Sequence, residues 1–280
     1  MQVTATASKP LKWHGGKHYL ANRIIDLMPK HTHYAEPYAG GLSVLFAKPG
    51  ELIEGHSEIV NDLNGDLSNF WSVLQNDVMF EQFQREIEAT PFSECEFNAA
   101  QQRFDASKPV AAAINFFIKY RQSRQGLGKD FATLSRNRTR RGMNEQVSSW
   151  LSAVEGLTEA HERLKRVVVL NRDALDVIKQ QDGSNTFFYL DPPYLHDTRV
   201  TTSDYECEMT QGQHNDLLMT LGERVDGKFI LSGYRSELYE YWASYYDWHR
   251  VGIEIDNKAS SKKTKDTKTE CLWMNFTPQD

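Results

Sequence analysis

The chain lacks several things, and each absence closes a class of explanation. No apolar run approaches the roughly 20 residues needed to span a bilayer. Met1 to Trp13 carries no apolar stretch of the kind a secretion signal has, so the expected location is cytoplasmic. Cysteine is scarce: Cys95, Cys207 and Cys271 lie far apart with no C-x-x-C spacing. That argues against a disulfide framework and a zinc site, and the three read as reduced thiols. His31, His33, His161, His196 and His214 show neither metal nor triad spacing. No internal repeat or long low-complexity tract is visible. What remains is an ordinary globular composition, 280 residues with 40% hydrophobic and 25% charged, which suits one large domain or one with a smaller insertion.

Positive charge is also in deficit. A net charge of -6, taken alone, argues against a polyanionic partner, because phosphate contacts need Lys and Arg. The distribution changes that reading. From Lys119 to Arg141 the chain carries Lys119, Arg121, Arg124, Lys129, Arg136, Arg138, Arg140 and Arg141 against Asp130 alone. From Lys258 to Lys268 it carries Lys258, Lys262, Lys263, Lys265 and Lys268 against Asp266. An acidic body with two basic segments suits local contact with nucleic acid better than general stickiness. Either run by itself would read as a solvated face.

Short apolar runs flanked by turn residues alternate with helical segments, the pattern of an α/β fold. His33 to Tyr38, Glu58 to Val60, Arg166 to Leu170, Thr186 to Leu190 and Lys228 to Ser232 read as strands. Trp248 to Ile255 and Glu270 to Phe276 are two late ones joined by the lysine-rich loop. Helices are expected from Ser43 and through Leu67, Phe70, Trp71 and Leu74, whose spacings are three and four. Glu36 to Asp62 is one crossover long, and so is Asp173 to Asp191. Asp62 to Asp173 is 111 residues, far too long for one. An inserted, mainly helical subdomain at 76–162 is inferred, with helices over Phe80 to Glu88, Phe97 to Phe104, Ala111 to Tyr120 and Ser148 to Leu164. Residues 1–75 and 163–280 form the remaining domain.

Asp191-Pro192-Pro193-Tyr194 is the most informative tetrapeptide. It follows the apolar strand Phe187 to Leu190, so it sits at a strand's carboxyl end, where open α/β sheets bind ligands. The prolines stiffen the backbone and leave the Pro192 carbonyl without a ladder partner. Asp191 adds a second acceptor, and two acceptors side by side suit an exocyclic amine with two N–H donors. Tyr194 offers a flat face for stacking, worth about 1 to 3 kcal/mol. Alone the tetrapeptide would be a turn; its company decides. Ala35 to Gly41 joins a strand, Glu36 and two glycines that permit close backbone approach to a ligand. Asp62, at the next strand end, stands where ribose hydroxyls are held in doubly wound folds, although as a lone residue it reads first as a helix N-cap.

These motifs together resemble the Dam-like family of adenine-specific DNA methyltransferases. The resemblance runs from Lys12-Trp13-His14-Gly15-Gly16-Lys17 through Glu36 to Val44, Asn61-Asp62, Asp191 to Tyr194, Ser232-Gly233-Tyr234 and Glu270 to Trp273. Their order is that of the family's α group, with the recognition insertion between the glycine and Asp-Pro-Pro-Tyr motifs. It implies a Rossmann-like, mostly parallel sheet with an antiparallel late strand. It also implies that Trp13, Lys17, Glu36, Tyr38, Gly40, Gly41, Asp62, Asp173 and Asp191 hold S-adenosylmethionine, with Lys17 near its carboxylate, Asp62 on its ribose and Asp173 near its adenine. Tyr38 stands where the family usually has phenylalanine. Without the family, Trp13 would read as core and Lys17 as a surface helix residue.

The chemistry implied is methyl transfer to adenine's exocyclic amine, with Asp191 and the Pro192 carbonyl accepting its two N–H bonds after the base has flipped out of the duplex. Double-stranded DNA is the expected partner, and a cognate restriction endonuclease is one that such an enzyme can have. DNA contacts are expected from Lys12, Arg121, Arg124, Arg136 and Arg138, with Lys262, Lys263 and Lys265 on phosphate. Gln122, Gln125, Asn137 and Asn144 suit base edges. Two readings stay open here: methylation of a cytosine amine, which the same acceptor pair serves, and a non-catalytic DNA-binding relative.

Overall fold

The computed structural model describes residues 9–49, 56–101, 105, 107–195, 208–256 and 267–278. In chain order its helices and strands are α1 (Ala21–Asp26), β1 (His33–Glu36), α2 (Ser43–Ala47), β2 (Ser57–Asn61), α3 (Gly65–Gln75), α4 (Asp77–Ala89), α5 (Glu94–Ala99) and α6 (Pro109–Arg121). There follow β3 (Thr139–Arg140), β4 (Met143–Asn144), α7 (Glu145–Glu155), α8 (Leu157–Leu164), β5 (Val168–Leu170), α9 (Ala174–Gln181) and β6 (Thr186–Leu190). The chain closes with α10 (Gln211–Glu223), β7 (Lys228–Tyr234), α11 (Glu237–Tyr245), β8 (His249–Asp256) and β9 (Thr267–Met274). Among the described residues no helix is long and apolar enough to cross a membrane. Two compact units are formed, one from Met1–Ile25, Ala39–Glu54 and Asn64–Asn171, the other from Asp26–Tyr38, Gly55–Leu63 and Arg172–Asp280.

The second unit is built on strands in the order β2-β1-β6-β7-β9-β8. β1 pairs in parallel with β2 and β6, and β6 with β7, while β9 runs antiparallel to both β7 and β8. The mostly parallel sheet with a late antiparallel strand is the one that the family resemblance implies. β6 is buried at all five positions, as a strand covered on both faces must be. Phe188 and Leu190 face a cluster with Ile178 of α9, Leu217 and Leu221 of α10, Tyr239 of α11 and Trp273 of β9. Phe187 lies instead against the rings of His31 and Tyr34. Because β2 and β6 flank β1 on opposite sides, the strand order reverses at β1, and the carboxyl ends of β1 and β6 border a topological switch point.

The first unit is mainly helical. Asn64 caps α3 by accepting from the Leu67 N–H at 3.0 Å, and the expected apolar stripe Leu67, Phe70, Trp71 and Leu74 is buried. Phe70 stacks with Phe117 of α6 and meets Phe83 of α4 edge-on. Two expected helices differ from their forecasts. The segment from Ser148 to Leu164 breaks at Gly156, which ends α7 and opens α8. α5 starts early because Ser93 caps it and ends at Ala99; Phe104 lies outside the described residues. A hairpin, β3–β4, also stands among the helices. Its Arg141-Gly142 turn has φ of 56° and 75°, the double left-handed geometry that two-residue hairpin loops require.

Candidate active site

In the second unit, Asp191 leaves the end of β6 half-buried, Pro192 is buried and Tyr194 is only 6% exposed. Tyr194 therefore is not the open platform expected from the sequence. Its hydroxyl donates to the carboxylate of Glu270, itself buried on β9, and its ring meets Tyr234 edge-on at 4.8 Å. Burial, then the carboxylates of Asp191 and Glu270, hold the Tyr194 phenol far above the usual range, so it stays a hydrogen-bond donor. One residue before Asp191, at Leu190, β6 is in register with Leu231 of β7, and the Tyr189 hydroxyl lies 3.0 Å from Ser232 Oγ. Glu270 carried no role in the sequence reading. A glutamate directly before the apolar run Cys271-Leu272-Trp273 was the available signal.

The neighbouring strand ends carry the other acidic groups. Glu36, buried at the end of β1, accepts from Tyr34 Oη at 2.6 Å. Asp62 follows β2, and the N-cap of α3 is Asn64. Asp173 does cap a helix: its Oδ1 accepts from the N–H groups of Leu175 at 2.9 Å and Asp176 at 3.4 Å. Tyr38 is pushed well above its ordinary pKa by burial first and by the Asp173 charge second.

In the first unit, Lys17 is 4% exposed and donates to the Gly15 carbonyl at 2.9 Å. It precedes α1, so it is not a surface helix residue. The Trp13 ring lies 4.8 Å from Tyr120 and 6.0 Å from Phe116. It also explains the glycines: a Cβ at Gly41 would sit 2.6 Å from Trp13 Cβ, and Gly40 has a φ of +48° with the indole 3.2 Å from its Cβ position. The close approach expected toward a ligand is made here to Trp13.

A family model described as the D12 class N6 adenine-specific DNA methyltransferase matches residues 13–254. The chain belongs to this family. It is an adenine-specific DNA methyltransferase, and DNA is what it acts on. A search among curated proteins found no match.

For a DNA enzyme the basic segments matter next. Lys262, Lys263 and Lys265 lie outside the described residues, as does His196. Arg124 and Arg136 are exposed. Arg138, also exposed, lies 3.6 Å from Glu145, and Arg141 forms a two-pronged pair with Glu155. Arg121 turns inward and donates to the Ser149 carbonyl at 2.6 Å. Burial pushes its guanidinium down to about 10. Lys12 donates to the Ser123 carbonyl at 3.2 Å; burial and Arg121 lower its ammonium, against Glu145. Lys9, which the sequence reading missed, is pushed down to about 8 by burial and by Arg121. Two expected base readers are occupied structurally. Gln122 is fully buried and bonds to Ser93 N–H and the Pro91 carbonyl, and Asn144 caps α7 while donating to the Ser135 carbonyl. Gln125 and Asn137 are exposed. Among the described residues no group of three or more His, Cys, Asp or Glu could hold a metal.

Proposed function

We propose that this methyltransferase acts on the exocyclic amino group of adenine in duplex DNA, using S-adenosylmethionine, with the base flipped into a pocket lined by Asp191 to Tyr194. The observation that carries the reading is the placement of this tetrapeptide at the carboxyl end of β6, beside the switch point at β1, with Tyr194 anchored by Glu270.

Asp191 and the Pro192 carbonyl accept the two N–H bonds of the amine. That draws its lone pair out of the ring and aims it, an orientation and charge-distribution effect. Asp191 or a water takes the proton late in the step. Tyr194, fixed by its hydroxyl, holds the shape of the pocket that takes the flipped base, whose extrusion costs a few kcal/mol. Methyltransferases of this kind generally use S-adenosylmethionine, which supplies an electrophilic methyl on sulfonium. The residues of the second unit suit it: Asp62 for ribose hydroxyls, and Glu36 and Tyr38 for the methionine portion. Incubating the protein with DNA and S-adenosylmethionine, then analysing the nucleosides, tests the reading. N6-methyladenine is the expected product; N4-methylcytosine or unmodified DNA overturns it.

The Arg121 charge bears on both Lys9 and Lys12, and a DNA phosphate beside the lysines would relieve it. The sign follows from linkage. The Lys9 ammonium loses its proton near pH 8 in the free protein, and a phosphate raises that pKa, so binding takes up a proton. DNA affinity should then fall as pH rises above about 8. At fixed salt, Lys9→Gln should flatten that dependence; an unchanged pH profile removes Lys9 from the interface.

A further inference from the structure

We infer that Asn61 is the positioning residue of the cofactor site, its carboxamide tying together the three backbone segments that carry Tyr38, Asp62 and Asp173. The inference rests on the assignment of those three residues to S-adenosylmethionine.

Asn61 ends β2 and is 1% exposed. Its Nδ2 donates to the Pro37 carbonyl at 3.0 Å and to the Arg172 carbonyl at 3.1 Å. Its Oδ1 accepts from the Arg172 N–H at 2.9 Å. Both amide protons and one acceptor position are therefore used, all on backbone. Each tied point adjoins an assigned residue: Pro37 precedes Tyr38, Asn61 precedes Asp62, and Arg172 precedes Asp173. The tied segments also feel one another, since the Asp173 charge raises Tyr38.

Aspartate at this position would lose both donors and face two carbonyls with a charge. Alanine would leave three backbone groups without their partner. Neither change touches a group that meets the cofactor, so an effect on cofactor binding reports positioning.

Asn275 supplies the control. Its Nδ2 donates to the Gly227 carbonyl at 2.9 Å and its Oδ1 accepts from the Phe229 N–H at 3.0 Å, the same backbone clamp made at the amino end of β7. The experiment compares Asn61→Ala, Asn61→Asp, Asn275→Ala and Asp62→Ala by calorimetry with S-adenosylmethionine, by steady-state kinetics and by thermal melting. Both Asn61 variants should raise the Kd and KM for S-adenosylmethionine roughly 10-fold, the size of one displaced polar anchor, with kcat at saturating cofactor within about three-fold. Asn275→Ala should lower Tm and leave KM unchanged. If Asn61→Ala does not fold, Asn61→Ser, which keeps one hydroxyl donor, is measured for the same KM shift. Asn61 variants that lose Tm with an unchanged KM overturn the proposal while leaving the pocket intact. An unchanged affinity in Asp62→Ala shows instead that the pocket assignment fails and takes the proposal with it.

Discussion

Thr186, Asp182 and Asn275 near the amino ends of β6 and β7, and Tyr189, Tyr194 and Glu270 near the carboxyl ends, are all buried or half-buried polar residues of the second unit. Their partners differ in kind. Thr186 donates to the Gln181 carbonyl, Asp182 accepts from the N–H groups of Asp226 and Gly227, and Asn275 clamps Gly227 and Phe229. These contacts satisfy backbone groups that a strand's entry leaves unpaired. At the carboxyl ends Tyr189 meets Ser232, Tyr194 meets Glu270 and Tyr34 meets Glu36, side chain to side chain. Paired buried side chains contribute less to backbone satisfaction than they constrain geometry, and constrained geometry is what methyl transfer to a weak nucleophile needs. In β6 and β7, on the function proposed above, the amino ends serve stability and the carboxyl ends serve chemistry.

The sharpest way to break that contrast is at Asp191. Asp191→Ala removes one of the two proposed amine acceptors and should lower kcat about 100-fold or more with little change in Tm. Near-normal turnover in radiolabelled methyl transfer would end its proposed role. A smaller loss is expected one step away. Glu270→Met removes the acceptor and Tyr194→Phe the donor of the same contact, and each should reduce kcat about 10-fold, the worth of a charge-assisted hydrogen bond. The double variant should be no slower than either single one, since both act through one bond; additive losses would show that the two residues work independently.

The sequence exposed this contrast only in part. Strand ends were legible where apolar β-branched or aromatic runs stop at residues that cannot continue a ladder, as Leu190 does at Asp191-Pro192-Pro193. Which of these polar residues does what was not legible, because Asp62, Asn64 and Asp173 all carry the chemistry of a helix cap; only the structure shows Asn64 and Asp173 in that duty. Partners distant in sequence were also hidden. Tyr194 and Glu270 are 76 residues apart, Asn61 and Arg172 are 111, and no local period links them. The Arg141-Gly142 hairpin and the break at Gly156 escaped because a glycine in a helix-rich stretch is tolerated as often as it terminates.

At the amino ends the expected effects are on stability alone. Asp182→Ala removes the acceptor of two backbone N–H groups and should cost about 1 to 2 kcal/mol, read as a lower urea midpoint with an unchanged slope. KM and kcat should stay within error. A kinetic defect there, matched by no loss of stability, would break the division between the two ends.

Asp173 sharpens the contrast, because it holds one residue to both kinds of work. Its Oδ1 caps α9 through two backbone N–H groups, while its charge is felt by Tyr38 and its position is that assigned to the cofactor's adenine. Asn caps as well as Asp, whereas Ala forfeits about 1 kcal/mol of helix stability. Asp173→Asn should therefore keep the urea midpoint of the parent, and Asp173→Ala should lower it. Both variants remove the carboxylate, so both should weaken S-adenosylmethionine binding by a similar, small factor of about two- to five-fold, the range for an exposed charge screened by solvent. The Tyr38 phenol should ionise more readily in both, because one of the two causes holding its pKa up is gone. If Asp173→Asn binds the cofactor as the parent does while Asp173→Ala binds it weakly, the cap alone explains the residue, and Asp173 belongs with Asp182 and Asn275 among the groups that serve the backbone.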